Sequence, residues 1–498
     1  MMDQTNINQH KTILKATGVF GLMQVMKMLI SIVGSKFVAI FLGPIGIGIV
    51  GLLTNTINII TSISSFGLAT TSVREIAVAD LSNSKEKLSE TISVLQQIAL
   101  FSGIIAAFIS VVFSKLLSQL TFGTTTNYFW FVVLAINFVI TAFATVRASI
   151  LQGKRMLRVL AISNVISSLL ITISTVSIYY FLKFDGIIWV ILSSSAITLL
   201  VNLYFTRCFK SKPLLFSLTG FLSKAKPILQ LGFLLSINSI FGLVCTYIIK
   251  IYLNKNGATA QILGFYEVST VILISYVGLI FNAMSIDFYP QLTAVNYDNN
   301  KVKDLVNNQL EIALLLITPA IILLYLIAPF VIELLYTKEF LPVFLILKAA
   351  LFAIIVKTII WPLGFIILAK GNKKQYFKQE LVSDFLNVSL TILLYHYFGL
   401  VGIGFAMVLN YFFYGIYVYY IVNKDYEFGF RKDCFWIIIF SIVVGILAIA
   451  TNFFINGMFS KIILVGLLFI SILFSFFGLD KRLAIASLLS KLKSKLFF

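Results

Sequence analysis

Apolar runs of about 20 residues recur from one end of this chain to the other, the length a helix needs to cross about 30 Å of hydrocarbon. A soluble domain cannot hide that much apolar surface: of 498 residues, 59% are hydrophobic and only 11% charged. A membrane β-barrel would alternate apolar and polar residues over strands of about ten residues, and the runs do not alternate. The chain therefore reads as an all-α polytopic membrane protein with about 14 transmembrane helices. The predicted spans are 18–41, 45–66, 92–113, 128–150, 159–182, 186–206, 229–252, 262–287, 309–330, 342–369, 379–397, 399–422, 434–455 and 459–477. The N-terminus, MMDQTNINQHK, is polar and precedes a long run with no small-residue cleavage site, so a cleavable signal peptide is not expected.

The net charge of +19 would suit a nucleic-acid partner if it were clustered. Instead it is sorted by loop. One set of connections carries Lys11 and Lys15, Arg74 with Lys85 and Lys87, Lys154 with Arg155 and Arg158, the run from Arg207 to Lys226, Lys301 and Lys303, the run from Lys370 to Lys378, Lys424 with Arg431 and Lys432, and the cluster from Lys481 to Lys495. The alternate set carries only Lys115, Lys183, Lys255, Lys338 and Lys461. Basic loops remain in the cytoplasm. Most of the charge is thus a topology signal, both termini are expected on the cytoplasmic side of the inner membrane, and no nucleic-acid partner is expected.

The two halves look repeated. ILQGKRM (150–156), a helix and FDGIIWVILSS (184–194) in the first half correspond to ILAKGNK (367–373), a helix and FGLVGIGFAMVL (398–409) in the second. This predicts a six-helix lobe over 1–210, a basic cytoplasmic linker over 211–228, a second six-helix lobe over 229–424, two additional helices over 425–480 and a basic amphipathic tail over 481–498. A parallel repeat of this kind carries its substrate site between the lobes, in a central cavity.

Chemistry is expected where charge interrupts the spans, because a cation in hydrocarbon costs at least about 2.5 kcal/mol and needs a partner, a wet cavity or a route to the interface. Lys27, Lys36, Arg147, Lys250, Lys348 and Lys357 do so. The surplus of positive charge points to an anionic cargo. At about 100° per residue, Lys27 shares a stripe with Thr17, Gln24, Ser31 and Ser35, and Lys36 faces away from it. Lys357 shares a face with Ala350, Ala353, Trp361 and Gly364, and Lys348 lies opposite. Lys27 and Lys357 are therefore the candidate cavity cations, with Arg147 and Arg74 as cytoplasmic-side candidates that are equally ordinary as positive-inside anchors. Asn55, Asn58, Ser62 and Ser65 form a second stripe, suited to lining a cavity or to joining helices. Lys250 and Glu267 sit near the outer ends of adjacent helices and suit an ion pair. Glu267 also heads a stripe with Gly278, Asn282 and Ser285, which makes it the best ion-coupling carboxylate, ahead of Asp287 and Asp384. No cofactor is expected, beyond coupling to a proton or sodium gradient. His10 and His396 are the only histidines, and Cys208, Cys245 and Cys434 lack metal or disulfide spacing, so neither a metal centre nor a serine–histidine–acid triad is expected. No Walker motif is present.

SKFVAIFLGPIGIGIVGLL (35–53), SSFGLATTSVREIA (64–77), LGFYEVST (263–270), IDFYPQLTAV (286–295) and the stretch YTKEFLPVFLILKAALFAIIVKTIIWPLGFIILAKGN (336–372) together resemble the O-antigen translocase family. These are lipid-linked oligosaccharide flippases of the polysaccharide-exporter group, whose superfamily also holds multidrug/toxin extrusion transporters and peptidoglycan-precursor flippases. The resemblance covers the first twelve helices. It implies two six-helix lobes and a cargo of oligosaccharide on undecaprenyl diphosphate, carried from the inner to the outer leaflet through a cationic cavity for polysaccharide biosynthesis. Lys27, Lys250 and Lys357 fall where the family carries basic residues. Arg147 does not match a family basic position, and Glu267 falls where relatives carry Gln. The partners implied are the lipid-linked cargo, membrane lipids and the polysaccharide polymerase with its chain-length machinery. A multidrug exporter handling cationic cargo is disfavoured by the excess of buried Lys and Arg over Asp and Glu. A membrane polysaccharide polymerase is disfavoured because no outer loop is long enough to hold a catalytic site.

Overall fold

The computed structural model describes residues 4–82, 84–209, 218–257, 259, 261–455 and 457–483; the side chains of 1–22 and of Gln24 lie outside the described residues. All its elements are helical. In chain order they are α1 (Gln4–Ser65), α2 (Leu68–Leu81), α3 (Lys85–Val112), α4 (Ser114–Phe122), α5 (Tyr128–Gly153), α6 (Leu157–Leu182), α7 (Ile187–Thr206), α8 (Leu218–Asn256), α9 (Ile262–Thr270), α10 (Gly278–Ala294), α11 (Asn299–Leu335), α12 (Val343–Ala369), α13 (Lys373–Tyr426), α14 (Lys432–Phe454) and α15 (Met458–Leu483). Among the described residues, ten helical stretches are long and apolar enough to cross a membrane. Three of these are broken midway, at Gly43, at the 3-10 turn Lys183–Gly186 and at Gly399, so each supplies two spans. With α8, they cover every stretch at which the apolar runs predict a span.

The breaks have a local cause. Gly43 adopts φ 59°, ψ −168°, a region closed to residues with a Cβ, and Pro44 then starts the next segment with a preset φ. The repeated motifs place comparable breaks in both halves. Arg155 and Gly371 turn with φ 56° and 72°, and Lys183 and Gly399 with φ 47° and 57°. Lys183, at ψ −124°, thus holds the strained conformation for which the second half uses glycine. Such a conformation costs about 1–3 kcal/mol. Lys183→Gly is expected to raise the melting temperature of the purified protein, whereas Gly399→Lys lowers it.

Two compact units emerge, 1–264 with 335–337, and 265–334 with 338–498. The boundary falls at Gly264–Phe265, so α8 packs with the first unit, whereas the linker at 211–228 suggested that it opens the second. Specific contacts account for this. Gly232 of α8 lies so near the Phe66 carbonyl that a Cβ there would come within 1.7 Å of it. Asn254 Nδ2 donates to the Thr121 carbonyl at 3.0 Å, and Tyr247 hydrogen-bonds Thr121 at 3.1 Å. Ala225 also joins a core with Leu68, Ile76, Leu95 and Ile150. Helices of this unit are further joined by polar pairs, a buried one from Ser163 to Asn202 at 2.8 Å and a half-buried one from Ser195 to Asn137 at 2.7 Å. Such pairs hold helices together where lipid offers no hydrophobic drive.

In the second unit, α10, α11, α12 and α13 share a core of Phe288, Val306, Leu363, Ile366 and Val418. A π-helical stretch, Val271–Tyr276, separates α9 from α10 within a span predicted as one helix. The last two helices are tied to α11 by charge. Glu311, buried in α11, accepts from Arg431 at 3.0 Å and from Arg482, near the end of α15, at 2.5 Å. Asp298 begins α11 by accepting from the backbone N–H groups of Asn300 and Lys301. Those bonds, that to Lys301 first, hold its carboxyl below the usual carboxylate range.

The placement of basic loops gives a topology that reporter fusions can test. Fusions at Lys183 and Lys461 are expected to read periplasmic, and one near Lys224 cytoplasmic; a cytoplasmic signal at Lys183 or Lys461 would break the assigned order of spans.

Candidate functional site

The second unit holds an open cavity of about 240 Å³, built by three helical segments. From α12 come Lys357, Trp361, Gly364 and Leu368, spaced four, three and four apart and so on one face. The first half of α13 contributes Tyr376, Gln379, Glu380 and Ser383 with the same periodicity, and its second half Tyr411 and Tyr414. A Cβ at Gly364 would touch only the Gln379 amide and the Tyr414 hydroxyl, both at 3.9 Å, so glycine keeps this wall open. Trp361 is held in place by Phe281, Phe288 and Phe365, with ring centroids 5.5, 5.7 and 5.4 Å away.

Lys357 is half-buried at this cavity. Its ammonium lies 5.2 Å from the Phe281 ring and 5.7 Å from the Tyr411 ring, and among the described residues it makes no ion pair. The ring faces stabilise the cation without neutralising it. Lys348, on the opposite face of α12, sits over Phe344 and Phe453 at 5.6 and 5.4 Å. Gln379 is 1% exposed, and its side-chain oxygen finds no hydrogen-bond partner among the described residues. The side-chain nitrogen, not this oxygen, lies toward the Gly364 wall.

The first unit holds a smaller cavity of about 100 Å³, whose polar lining is Thr61, Ser64 and Ser65 of α1, Ser102 of α3 and Thr145 of α5 beside Leu68, Ala106 and Phe138. The predicted stripe on α1 reaches it only through Ser65. Asn55 is buried without hydrogen-bond partners among the described residues, Asn58 is exposed, and Ser62 is half-buried. Lys27 is half-buried and Ser31 exposed, while the Gln24 side chain lies outside the described residues. Lys36 donates to the Tyr336 carbonyl, which explains its place away from the Lys27 stripe. Lys250 is buried and donates to the Gly51 carbonyl at 3.2 Å. Arg147 is half-buried, and its Nε makes no hydrogen bond among the described residues. Arg74 is exposed, with Glu75 4.0 Å away. In the second unit Glu267 is half-buried and Asn282 exposed.

Lys357 was legible from its helical face. The polar half of its cavity was not. Tyr376, Gln379, Glu380 and Ser383 start a helix just after a basic turn, where a sequence offers only ordinary interfacial residues. The available signal was their spacing of three, one and three, which aligns them on one side of α13 and leaves Asp384 one turn beyond Glu380. Among the described residues no group of His, Cys, Asp or Glu is arranged to hold a metal ion.

Residues 13–295 match the sequence family described as polysaccharide biosynthesis protein, more than half of the chain. The chain belongs to that family. No curated protein matches its sequence. Among solved structures it resembles the lipid II flippase MurJ in an inward closed conformation, with a TM-score of 0.66 at 14% identity over 95% of this chain and all of that one. It also resembles the inward-facing conformation of a multidrug resistance transporter of the MATE family in the MOP superfamily, with a TM-score of 0.67 at 15% identity over 80% of this chain and 94% of that one. A third is a MOP-superfamily transporter from Pyrococcus furiosus Vc1, described by the reverse polarity of its binding pocket, with a TM-score of 0.55 at 13% identity over 84% of this chain and 96% of that one. At these identities the likeness is one of fold. The polysaccharide biosynthesis family member described here is a multi-pass helical membrane protein with the fold of MOP-superfamily transporters.

Proposed function

We propose that this protein is a flippase that moves undecaprenyl-diphosphate-linked oligosaccharide, an O-antigen or similar surface polysaccharide repeat unit, from the cytoplasmic to the periplasmic leaflet of the inner membrane by alternating access. The observation that carries the reading is Lys357, an ammonium lodged at a cavity within a membrane span, contacted by ring faces and in no ion pair among the described residues. Such a site is suited to an anion. A diphosphate supplies about two negative charges to charge-assisted hydrogen bonds, and the family and fold agree with a lipid-linked saccharide as its carrier. Lys27 is the proposed second cation, with Arg147 and Arg74 attracting the head group on the cytoplasmic side. The cargo keeps its tail in the bilayer, and no bond is cut. Loss of the gene is expected to abolish surface polysaccharide while its lipid-linked repeat unit accumulates in the inner leaflet. Continued surface display in its absence would contradict the reading.

Glu267 and Lys250 enter this reading in one of two roles that a single experiment separates. As an ion pair, Lys250→Ala and Glu267→Ala each lower thermal stability and the double variant recovers part of the loss. As a coupling carboxylate, Glu267→Gln folds normally and abolishes any dependence of transport on a proton or sodium gradient.

A further inference from the structure

We infer that the cavity between α12 and α13 is a monosaccharide subsite, taking one uncharged six-membered sugar ring of the transported chain. The inference rests on the flippase reading for the source of the sugar, and on the cavity alone for its chemistry. A pyranose presents apolar C–H faces and a rim of hydroxyl groups. It therefore binds where aromatic rings and paired donors and acceptors occur together. Here Trp361, Tyr411 and Tyr414 supply the rings. Trp361 is packed by three phenylalanines, so a ring stacking on it meets a surface already ordered. Gln379 brings its side-chain amide nitrogen to the Gly364 wall, and Glu380 and Ser383 stand beside it on the same helix.

Hydrogen bonding and charge narrow the occupant. An apolar occupant would leave Gln379 and Glu380 desolvated without partners, which is costly. A cationic drug would meet Lys357. An acidic sugar would bring a second carboxylate against Glu380, with Asp384 one turn away, and Lys357 is taken by the diphosphate. An uncharged sugar has no such conflict. The α12 lining from Trp361 to Leu368 and the α13 lining from Tyr376 to Ser383 also lie in the halves of those helices nearest the turn that carries Lys370, Lys373 and Lys374, the side the basic loops assign to the cytoplasm, where cargo is loaded.

Saturation-transfer NMR on the full-length protein in lipid nanodiscs tests this directly, with galactose, N-acetylglucosamine and glucuronate as probes. The two neutral sugars are expected to receive saturation at their ring C–H protons, with glucuronate at least tenfold weaker. Gly364→Leu, which fills the wall, should abolish the signal. Gln379→Leu should weaken it about tenfold, and Glu380→Gln should raise glucuronate toward the neutral sugars. Melting temperature and monodispersity establish that each variant is folded, and Gln379→Leu suffices where Gly364→Leu is not. Absence of transfer to both neutral sugars, signals unchanged in the folded variants, or equal binding of glucuronate by the wild type would each overturn the inference. Polysaccharide export by the same variants is read separately. Variants that lose sugar binding and still export remove the subsite from the transport path and leave the flippase reading standing. Sugar binding by a protein whose gene loss leaves surface polysaccharide intact keeps the subsite and removes the flippase reading.

Discussion

The Lys27→Ala/Lys357→Ala variant is expected to reach the membrane at normal abundance and to export no polysaccharide. Lys357 stands over Phe281 and Tyr411 and takes part in no ion pair among the described residues, so its removal breaks no ion pair. Its loss falls on the cargo instead. A hydrogen bond to a charged group contributes about 1.5–3 kcal/mol, which is about tenfold to a hundredfold in binding for each lysine. Arginine at either position should restore part of the export, because the role requires a cation more than a particular shape. Lys348→Ala should be mild, since that ammonium only covers Phe344 and Phe453. Lys36→Ala should act through folding rather than cargo, because Lys36 satisfies the Tyr336 carbonyl. The measurement is complementation of surface polysaccharide with membrane abundance followed by immunoblot. Full complementation by the double variant would remove both lysines from the site.

The largest effect on stability is expected at Glu311. One buried carboxylate holds two guanidinium groups, Arg431 at 3.0 Å before α14 and Arg482 at 2.5 Å in α15. Breaking such a buried arrangement by removing one partner costs about 3–5 kcal/mol, because the remaining charges lose their compensation. Glu311→Ala should therefore lower the melting temperature of the purified protein sharply and expose α14 and α15 to protease before the rest of the chain. Asp304, 3.6 Å from Arg431 and 64% exposed at its side chain, provides the control. Asp304→Ala should change stability by no more than about 0.5 kcal/mol. Equal melting temperatures for the two variants would show that the cluster does not anchor the last helix pair.

Much of this protein is legible in its amino-acid sequence. Hydrocarbon thickness imposes a minimum length on each span, so the number and positions of the spans follow from counting apolar residues. The breaks are written just as locally, in the Gly43–Pro44 step and in the paired turns at 154–156 and 370–372. The helical face of Lys357 likewise follows from the angle per residue, and the structure places Trp361 and Gly364 on that face.

Tertiary packing decided the rest. Asn55 and Asn58 lie three residues apart in one predicted stripe, yet one is buried and the other exposed. Angles around a single helix do not say which neighbour covers which arc. The assignment of α8 to the first unit depends on Gly232 meeting the Phe66 carbonyl and on Asn254 meeting that of Thr121, contacts between residues far apart in the chain. Glu311 was unremarkable in sequence, because its two arginines lie more than a hundred residues away. The cavity at Lys357 has the same origin. Its polar wall is an ordinary helix start until α12 and the second half of α13 close around it. Spacing along one helix reports that helix's own faces, and only the packing of several helices determines which of those faces meet, which are buried and where a gap remains.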